Sequence, residues 1–141
     1  MKRGRKILIM GLPGSGKTTL ARELAEKLNA VHFNADEVRE NINKDLGFSR
    51  EHRIEQAKRM GWLCDKVAER GHFAVADFVC PTKETREAFG ECFTVFVDTI
   101  REGRFEDTNR IFEKPEKADF IVNEKDAKKF ASLISGELGK D

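Results

Sequence analysis

ILIMGLPGSGKTTLARELAEKL, residues 7–28, runs from an apolar tetrapeptide through three glycines in six residues into a segment opened by Lys17 and Thr18. Ile7 to Met10 suit a fully buried strand. Gly11, Gly14 and Gly16 then allow backbone conformations in which successive N–H groups turn inward toward an anion. Leu20, Ala21, Leu24, Ala25 and Leu28 recur at three- and four-residue spacing, so a helix with one buried stripe follows, its positive end aimed at the same anion. The spacing from Gly11 through four residues to Gly16-Lys17-Thr18 is that of a phosphate-binding loop, found in the order strand, loop, helix that such a loop requires. A glycine-rich turn without a ligand is the plain alternative.

The rest of the chain sets the frame. At 141 residues it suits one domain, 1–141, with length for a core but little for a second. Twenty-six Lys and Arg nearly balance 25 Asp and Glu, which gives no overall bias toward nucleic acid or an anionic membrane. Cys64, Cys80 and Cys92 are odd in number and widely spaced, the pattern of reduced thiols rather than of disulfides or a metal site. The basic start MKRGRK precedes only four strongly apolar residues, too few for a signal-peptide core or a membrane span. These features point to a cytoplasmic protein.

Further along, AVHF (30–33) reads as a short strand, and ADEVRENINKDLGF (35–48) as a helix running into a turn at Gly47. Ser49 can cap a helix whose buried face is Ile54, Ala57, Gly61, Cys64 and Ala68 and which stops at Gly71. HFAVADFV (72–79) and CFTVFVD (92–98) are continuous apolar runs of the kind found in central parallel strands, ADFIV (118–122) is a fifth strand, and Ala127, Phe130, Ala131, Ile134 and Leu138 mark a closing helix. The alternation predicts an α/β, three-layer P-loop NTPase fold, a mostly parallel five-stranded sheet flanked by helices, with ligands at the carboxyl ends of the strands. Asp77 ends an apolar strand, from which a second carboxylate can hold Mg²⁺ through water beside the phosphate loop. A loop hydrogen bond or helix cap is the competing role.

A guanine-specific switch would carry Asn-Lys-x-Asp after a late strand. NKDL (43–46) and NEKD (123–126) both miss that spacing, and a metabolite kinase fits better. FNADEVRENINKDLGFSREHR (33–53) resembles the adenylylsulfate kinase family, whose corresponding region reads approximately Leu-Asp-Gly-Asp, two residues, Arg, then Asp-Leu-Gly-Phe-Ser and Asp-Arg. GLPGSGKTTLA (11–21), Asp36, Arg39, DLGFS (45–49), Arg53, Pro81 and Arg86 fall where that family would have them. Asn34 and Ala35 replace the first two residues of its Asp-Gly-Asp, His52 the Asp before Arg53, and Gln56 an Asn. The family's Arg-Asp-x-Lys-Gly-Leu-Tyr segment and a Phe-Thr-Gly stretch are missing. DTIREGRFEDTNRIFEKP (98–115) stands instead, within a lid-like segment at about 99–116.

The resemblance implies an ATP-dependent kinase transferring the γ-phosphate to the 3′-hydroxyl of adenosine 5′-phosphosulfate, with Mg²⁺. Another nucleotide or small anionic metabolite as acceptor, or a non-catalytic ATP-binding module, are the alternatives. In the kinase reading Gly11, Gly14, Ser15, Gly16, Lys17, Thr18 and Thr19 bind the nucleotide. Lys17 neutralises β- and γ-phosphate charge, and Thr18 ligates Mg²⁺. Asp36 accepts or orients the acceptor hydroxyl's proton, and shares the bland alternative of a helix N-terminal charge. Arg39 and Arg53 grip the acceptor's anionic end or form surface ion pairs; Phe48 stacks on the acceptor's adenine or joins the core. Arg101, Arg104 and Arg110 are candidates to close over the triphosphate. The acceptor is a nucleotide-like small molecule, nucleic acid and membrane are not partners, and homodimers are common in the family.

Overall fold

The computed structural model describes residues 5–103 and 105–139. Five strands, β1 (Lys6–Met10), β2 (Val31–Asn34), β3 (Ala74–Asp77), β4 (Phe93–Val97) and β5 (Phe120–Val122), form one sheet in the order β2-β3-β1-β4-β5, every pair parallel. Among the described residues the sheet is accompanied by helices α1 (Lys17–Leu28), α2 (Ala35–Asn41), α3 (Arg50–Glu69), α4 (Lys83–Phe89), α5 (Glu106–Ile111) and, after β5, α6 (Ala127–Leu138). The three-layer P-loop fold read from the sequence is the fold observed.

Strand parity divides the core. Ile7 and Ile9 of β1 with Val75 of β3 face α1 and α6 in one apolar layer, while Leu8 and Met10 with Ala74 and Ala76 face α3 and α4 in the other. Both faces are covered, which is why β1, β3 and β4 read as unbroken apolar runs. No helix among the described residues is long and apolar enough to cross a membrane.

One helix is shorter than its sequence suggests. The stretch 35–48 is helical only to Asn41, because the next polar residues turn to α3. The backbone N–H of Asn43 bonds back to the Val38 carbonyl at 2.8 Å, and its buried side chain donates to Gln56 Oε1 at 2.8 Å. Arg59 of α3 then holds Asn43 Oδ1 and both carboxylate oxygens of Asp45. The segment before Gly47 is thus pinned as a loop by side chains that a helix would have sent to solvent.

Two close contacts join α3, α4 and the sheet. The buried Lys6 ammonium donates to the Phe89 carbonyl, pairs with Asp65 at 2.9 Å and lies 4.5 Å from the Phe89 ring centroid. Gly61 of α3 packs directly on the backbone of Phe89, where a Cβ would collide with the carbonyl oxygen. Gly61→Ala should therefore destabilise the fold by about 1–3 kcal/mol through overpacking. Gly136→Ala, in α6 with nothing within 4 Å of its added Cβ, should stabilise by about 0.5–1 kcal/mol through helix propensity. Urea unfolding of both variants reads the opposite signs.

Candidate active site

The loop between β1 and α1 opens at the carboxyl edge of the sheet. Gly14 and Gly16 have φ of 88° and 101°, and Gly16 caps α1 in the left-handed conformation. Gly11 has a different reason to be glycine, since a Cβ there would lie 2.6 Å from the Val97 carbonyl oxygen at the end of β4. Ser15 is 1% exposed, and its hydroxyl finds no hydrogen-bond partner among the described residues. A buried unsatisfied hydroxyl inside a ring of turned amides is the observation that fits a bound anion. Lys17 is buried with its ammonium directed into the loop, donating to the Leu12 carbonyl at 3.0 Å. Thr99, just after β4, donates to the Ser15 carbonyl at 2.7 Å and ties the following segment to the loop.

Beside the loop the structure gathers a polar cluster. Thr18 Oγ1 donates to Asp77 Oδ1 at 2.9 Å. Asn34 Nδ2 lies 3.1 Å from the same oxygen, and His32 Nε2 contacts Asp77 Oδ2. Asp77 is only 2% exposed. Thr18 and Asp77, both assigned to the metal from sequence, are therefore in direct contact, and their oxygens are the hard donors a divalent cation takes. His32 was not among the residues selected from sequence. Its signal is parity: His32 and Asn34 are two apart on a strand that pairs with β3, which puts both on the side of Asp77.

A cavity of about 770 Å³ runs from the loop to the far side of the sheet edge. Lys17, Thr18 and Asp77 line it together with Asp36, Arg39, Phe48 and Arg53. Asp36 is exposed in the first turn of α2, whose cap is the Asn34 side chain accepting from the Glu37 N–H at 3.1 Å. Phe48 is 66% exposed, with the Arg39 guanidinium 4.2 Å and the Arg53 guanidinium 5.6 Å from its ring centroid. Both arginines also hold the loop that carries Phe48, Arg39 through the Gly47 carbonyl at 2.6 Å and Arg53 through the Phe48 carbonyl at 2.8 Å. Burial lowers the pKa of each guanidinium. At Arg39 the charge of Arg53 adds to the fall and Asp36 opposes it; at Arg53 the opposing charge is Asp107.

The segment after β4 folds across this cavity and contributes Phe105, Asp107 and Thr108 to its wall. Phe105 is 57% exposed. Asn109 closes the segment on itself, accepting from the Gly103 N–H at 2.8 Å and donating to the Gly103 carbonyl at 3.2 Å. Gly103 packs on Pro13 of the phosphate loop, so a Cβ there would lie 3.0 Å from the proline ring. Arg101 and Arg110 are exposed and absent from the cavity wall, Arg110 pairing with Glu106 at 3.2 Å, and Arg104 lies outside the described residues. Phe112 is packed on Phe96, ring centroids 6.0 Å apart, and belongs to the core. A smaller cavity of about 140 Å³ lies between the loop and the start of α6, bounded by Ser15, Thr19, Leu20 and Lys125.

The sequence model of the adenylylsulphate kinase family matches residues 3–123. An adenylyl-sulfate kinase of Gloeothece citriformis is 36% identical over 106 residues, covering 69% of this chain and 60% of its own. Adenylyl-sulfate kinase 3 of Arabidopsis thaliana is 36% identical over 95 residues, covering 64% of this chain and 46% of its own. The chain thus spans about half to three-fifths of the length of these curated relatives. The Mycobacterium tuberculosis APS kinase CysC, solved in complex with AMPPNP and APS, superposes with a TM-score of 0.85 at 23% identity over 99% of both chains. A shikimate kinase from Acinetobacter baumannii superposes at 0.63 with 19% identity, over 96% of this chain and 93% of its own. At these identities the superpositions speak for the fold.

Cys80 follows β3 on the cavity wall at φ 46°, its carbonyl held by Arg86 at 2.8 Å. Burial pushes the thiols of Cys80 and Cys64 up to about 12. Alkylation needs the thiolate, and a thiol pushed up this far is overwhelmingly protonated at pH 8. Iodoacetamide at pH 8 should leave both residues unmodified in the folded protein and alkylate both after denaturation, as read by peptide mass mapping. Rapid native labelling of Cys80 would show instead that the cavity wall opens.

Proposed function

The chain belongs to the adenylylsulphate kinase family, and from that premise we propose that it is an ATP-dependent phosphotransferase acting on the 3′-hydroxyl of adenosine 5′-phosphosulfate. The observation that carries this reading is the single cavity joining the phosphate loop to Asp36, Arg39, Phe48 and Arg53. A donor and an acceptor can share it with their reacting groups adjacent, as direct transfer requires.

In this reading the amides of residues 14–18 and the Ser15 hydroxyl receive the phosphates, and Lys17 supplies a point charge to the β- and γ-phosphates. Thr18 and Asp77 would hold Mg²⁺, which when bound would supply positive charge to the phosphates. The smaller cavity beside Lys125 suits the nucleoside end of ATP. Asp36 takes the proton of the acceptor hydroxyl while that oxygen forms its bond to the γ-phosphorus; the β-phosphate oxygen keeps the electron pair and leaves as ADP. Arg39 and Arg53 meet the acceptor's phosphosulfate with the guanidinium nitrogens not spent on backbone carbonyls. The aromatic faces of Phe48 and Phe105 sandwich its adenine, and the segment at about 99–116 acts as a short lid on a single domain.

A second reading rests on Asp107. This carboxylate lines the acceptor end and its charge reaches Arg53, offsetting part of the positive field that a doubly anionic acceptor needs. An acceptor with less negative charge, another nucleotide or a small metabolite hydroxyl, suits that balance.

The deciding experiment is ATP-dependent phosphorylation of adenosine 5′-phosphosulfate by the purified chain. Product formation supports the first reading. A chain that binds an ATP analogue yet leaves this acceptor untouched removes it and favours the second. Asp36→Asn should cut turnover by about 10²-fold or more with nucleotide affinity little changed. Base stacking is worth about 1–3 kcal/mol, so Phe48→Ala and Phe105→Ala should each raise the acceptor KM by up to about 10²-fold. Phe112→Ala should instead lower stability, since its ring packs on Phe96 and not on the cavity.

A further inference from the structure

β2 and β3 end together on the α1 side of the sheet, and three polar side chains meet there. Asn34 pairs with Asp77 across the ladder and His32 with Val75; His32 and Asn34 are two apart and share a face. Val75 on that face belongs to the apolar layer under α1, so the Asp77 carboxylate emerges at the rim of a dry core. A buried carboxylate in such surroundings must be supplied with donors. Thr18 and Asn34 supply Oδ1 at 2.9 and 3.1 Å. On Oδ2 the close partner is His32, with Asn34 at a long 3.4 Å. When the carboxylate is ionised it only accepts, and Nε2 is then the donor of this contact.

His32 is 16% exposed at its side chain and does not line the main cavity. Whatever it does for bound nucleotide, it does through Asp77. We propose that His32 is a positioning residue: it holds the Asp77 carboxylate in the orientation that bonds Thr18, and so sets the oxygen pair that receives the divalent cation accompanying the nucleotide. The inference rests on the phosphotransferase reading of the same site. Without His32, Oδ2 keeps only the long Asn34 contact, and the carboxylate is free to turn away from Thr18. Partners of this kind behind metal-holding side chains change metal affinity by about 10- to 100-fold when removed. Asn34 cannot substitute, because its amide is already shared between Oδ1 and the Thr18 hydroxyl, 3.3 Å away, while its Oδ1 caps α2.

The test is calorimetric titration of a non-hydrolysable ATP analogue, with and without Mg²⁺, into wild type, His32→Ala, His32→Gln, Asp77→Asn and the double variant His32→Ala/Asp77→Asn. Thermal unfolding of each variant accompanies it. His32→Ala should leave Mg²⁺-free affinity within about twofold while cutting the affinity gained from Mg²⁺ by about tenfold or more. Gln keeps an N–H that can reach Oδ2 and should recover most of the gain. The double variant should be no worse than Asp77→Asn alone, because both changes remove one arrangement. Equal losses with and without Mg²⁺, a full Mg²⁺ gain in His32→Ala, or additive losses in the double variant would each overturn the proposal. Should His32→Ala fail to fold, Asp77→Asn decides: a wild-type Mg²⁺ gain without that carboxylate overturns the role of any residue acting through it. Wild type that binds no ATP analogue at all brings down the phosphotransferase reading, and this inference with it, whereas normal wild-type coupling with an unchanged His32→Ala removes this inference alone.

Discussion

The phosphate loop must turn its amides inward at the end of a central strand, and most of the molecule is arranged to make that turn possible. Gly11 sits so close to the Val97 carbonyl that no side chain fits between them. This contact fixes the end of β4 against the start of the loop. Thr99 then grips the Ser15 carbonyl, and Gly103 lies on Pro13, so the segment leaving β4 is held to the loop at three successive points. On the other flank Thr18 reaches Asp77 at the end of β3. The loop is therefore clamped by both neighbours of β1 in the sheet. The glycines take up the left-handed turns without steric cost, and the loop they form is held in a frame of buried strands, where fraying costs most.

How legible this was follows from the range of each interaction. The strand, loop and first helix are local: glycine spacing, an apolar run and a 3.6-residue stripe all fall within residues 7–28, and the sequence contains the whole argument. Strands β3 and β4 were legible because central parallel strands are apolar on both faces. The premature end of α2 was not, because it depends on Asn43 meeting Gln56 and Asp45 meeting Arg59, side chains more than ten residues apart in the chain. The placement of Arg101 and Arg110 was hidden for a similar reason. Composition marks a charged segment, but only the fold reveals that it offers Phe105, Asp107 and Thr108 to the cavity while Arg101 and Arg110 face solvent.

Around Phe48 the same side chains build the cavity wall and line it. Arg39 and Arg53 each spend one nitrogen on a backbone carbonyl of the loop around Gly47 and hold their guanidinium groups near the exposed ring of Phe48. Two guanidinium groups this close repel, and burial already disfavours their charge. An anion placed between them relieves both penalties at once. The strained pair thus favours occupation by a negatively charged group, and the stacking keeps the ring presented to the cavity before anything binds. Pre-ordering of this kind lowers the entropic cost of capture.

The short segment over the cavity alters how closing and binding are connected. A long lid hinges at its ends and moves as a body, so its position and the phosphate loop are linked mainly through the ligand between them. Here Gly103 rests on Pro13 and Asn109 locks Gly103 from both its N–H and its carbonyl. Any shift of the loop around bound phosphate must move Pro13, and through it the turn that carries Phe105. The phosphate loop can then act on the cavity wall at Phe105 through packed atoms of the protein. A differential contact of this sort is what coupling between two ligands requires, and here the residues that touch the phosphate loop and the residues that line the cavity belong to one short segment.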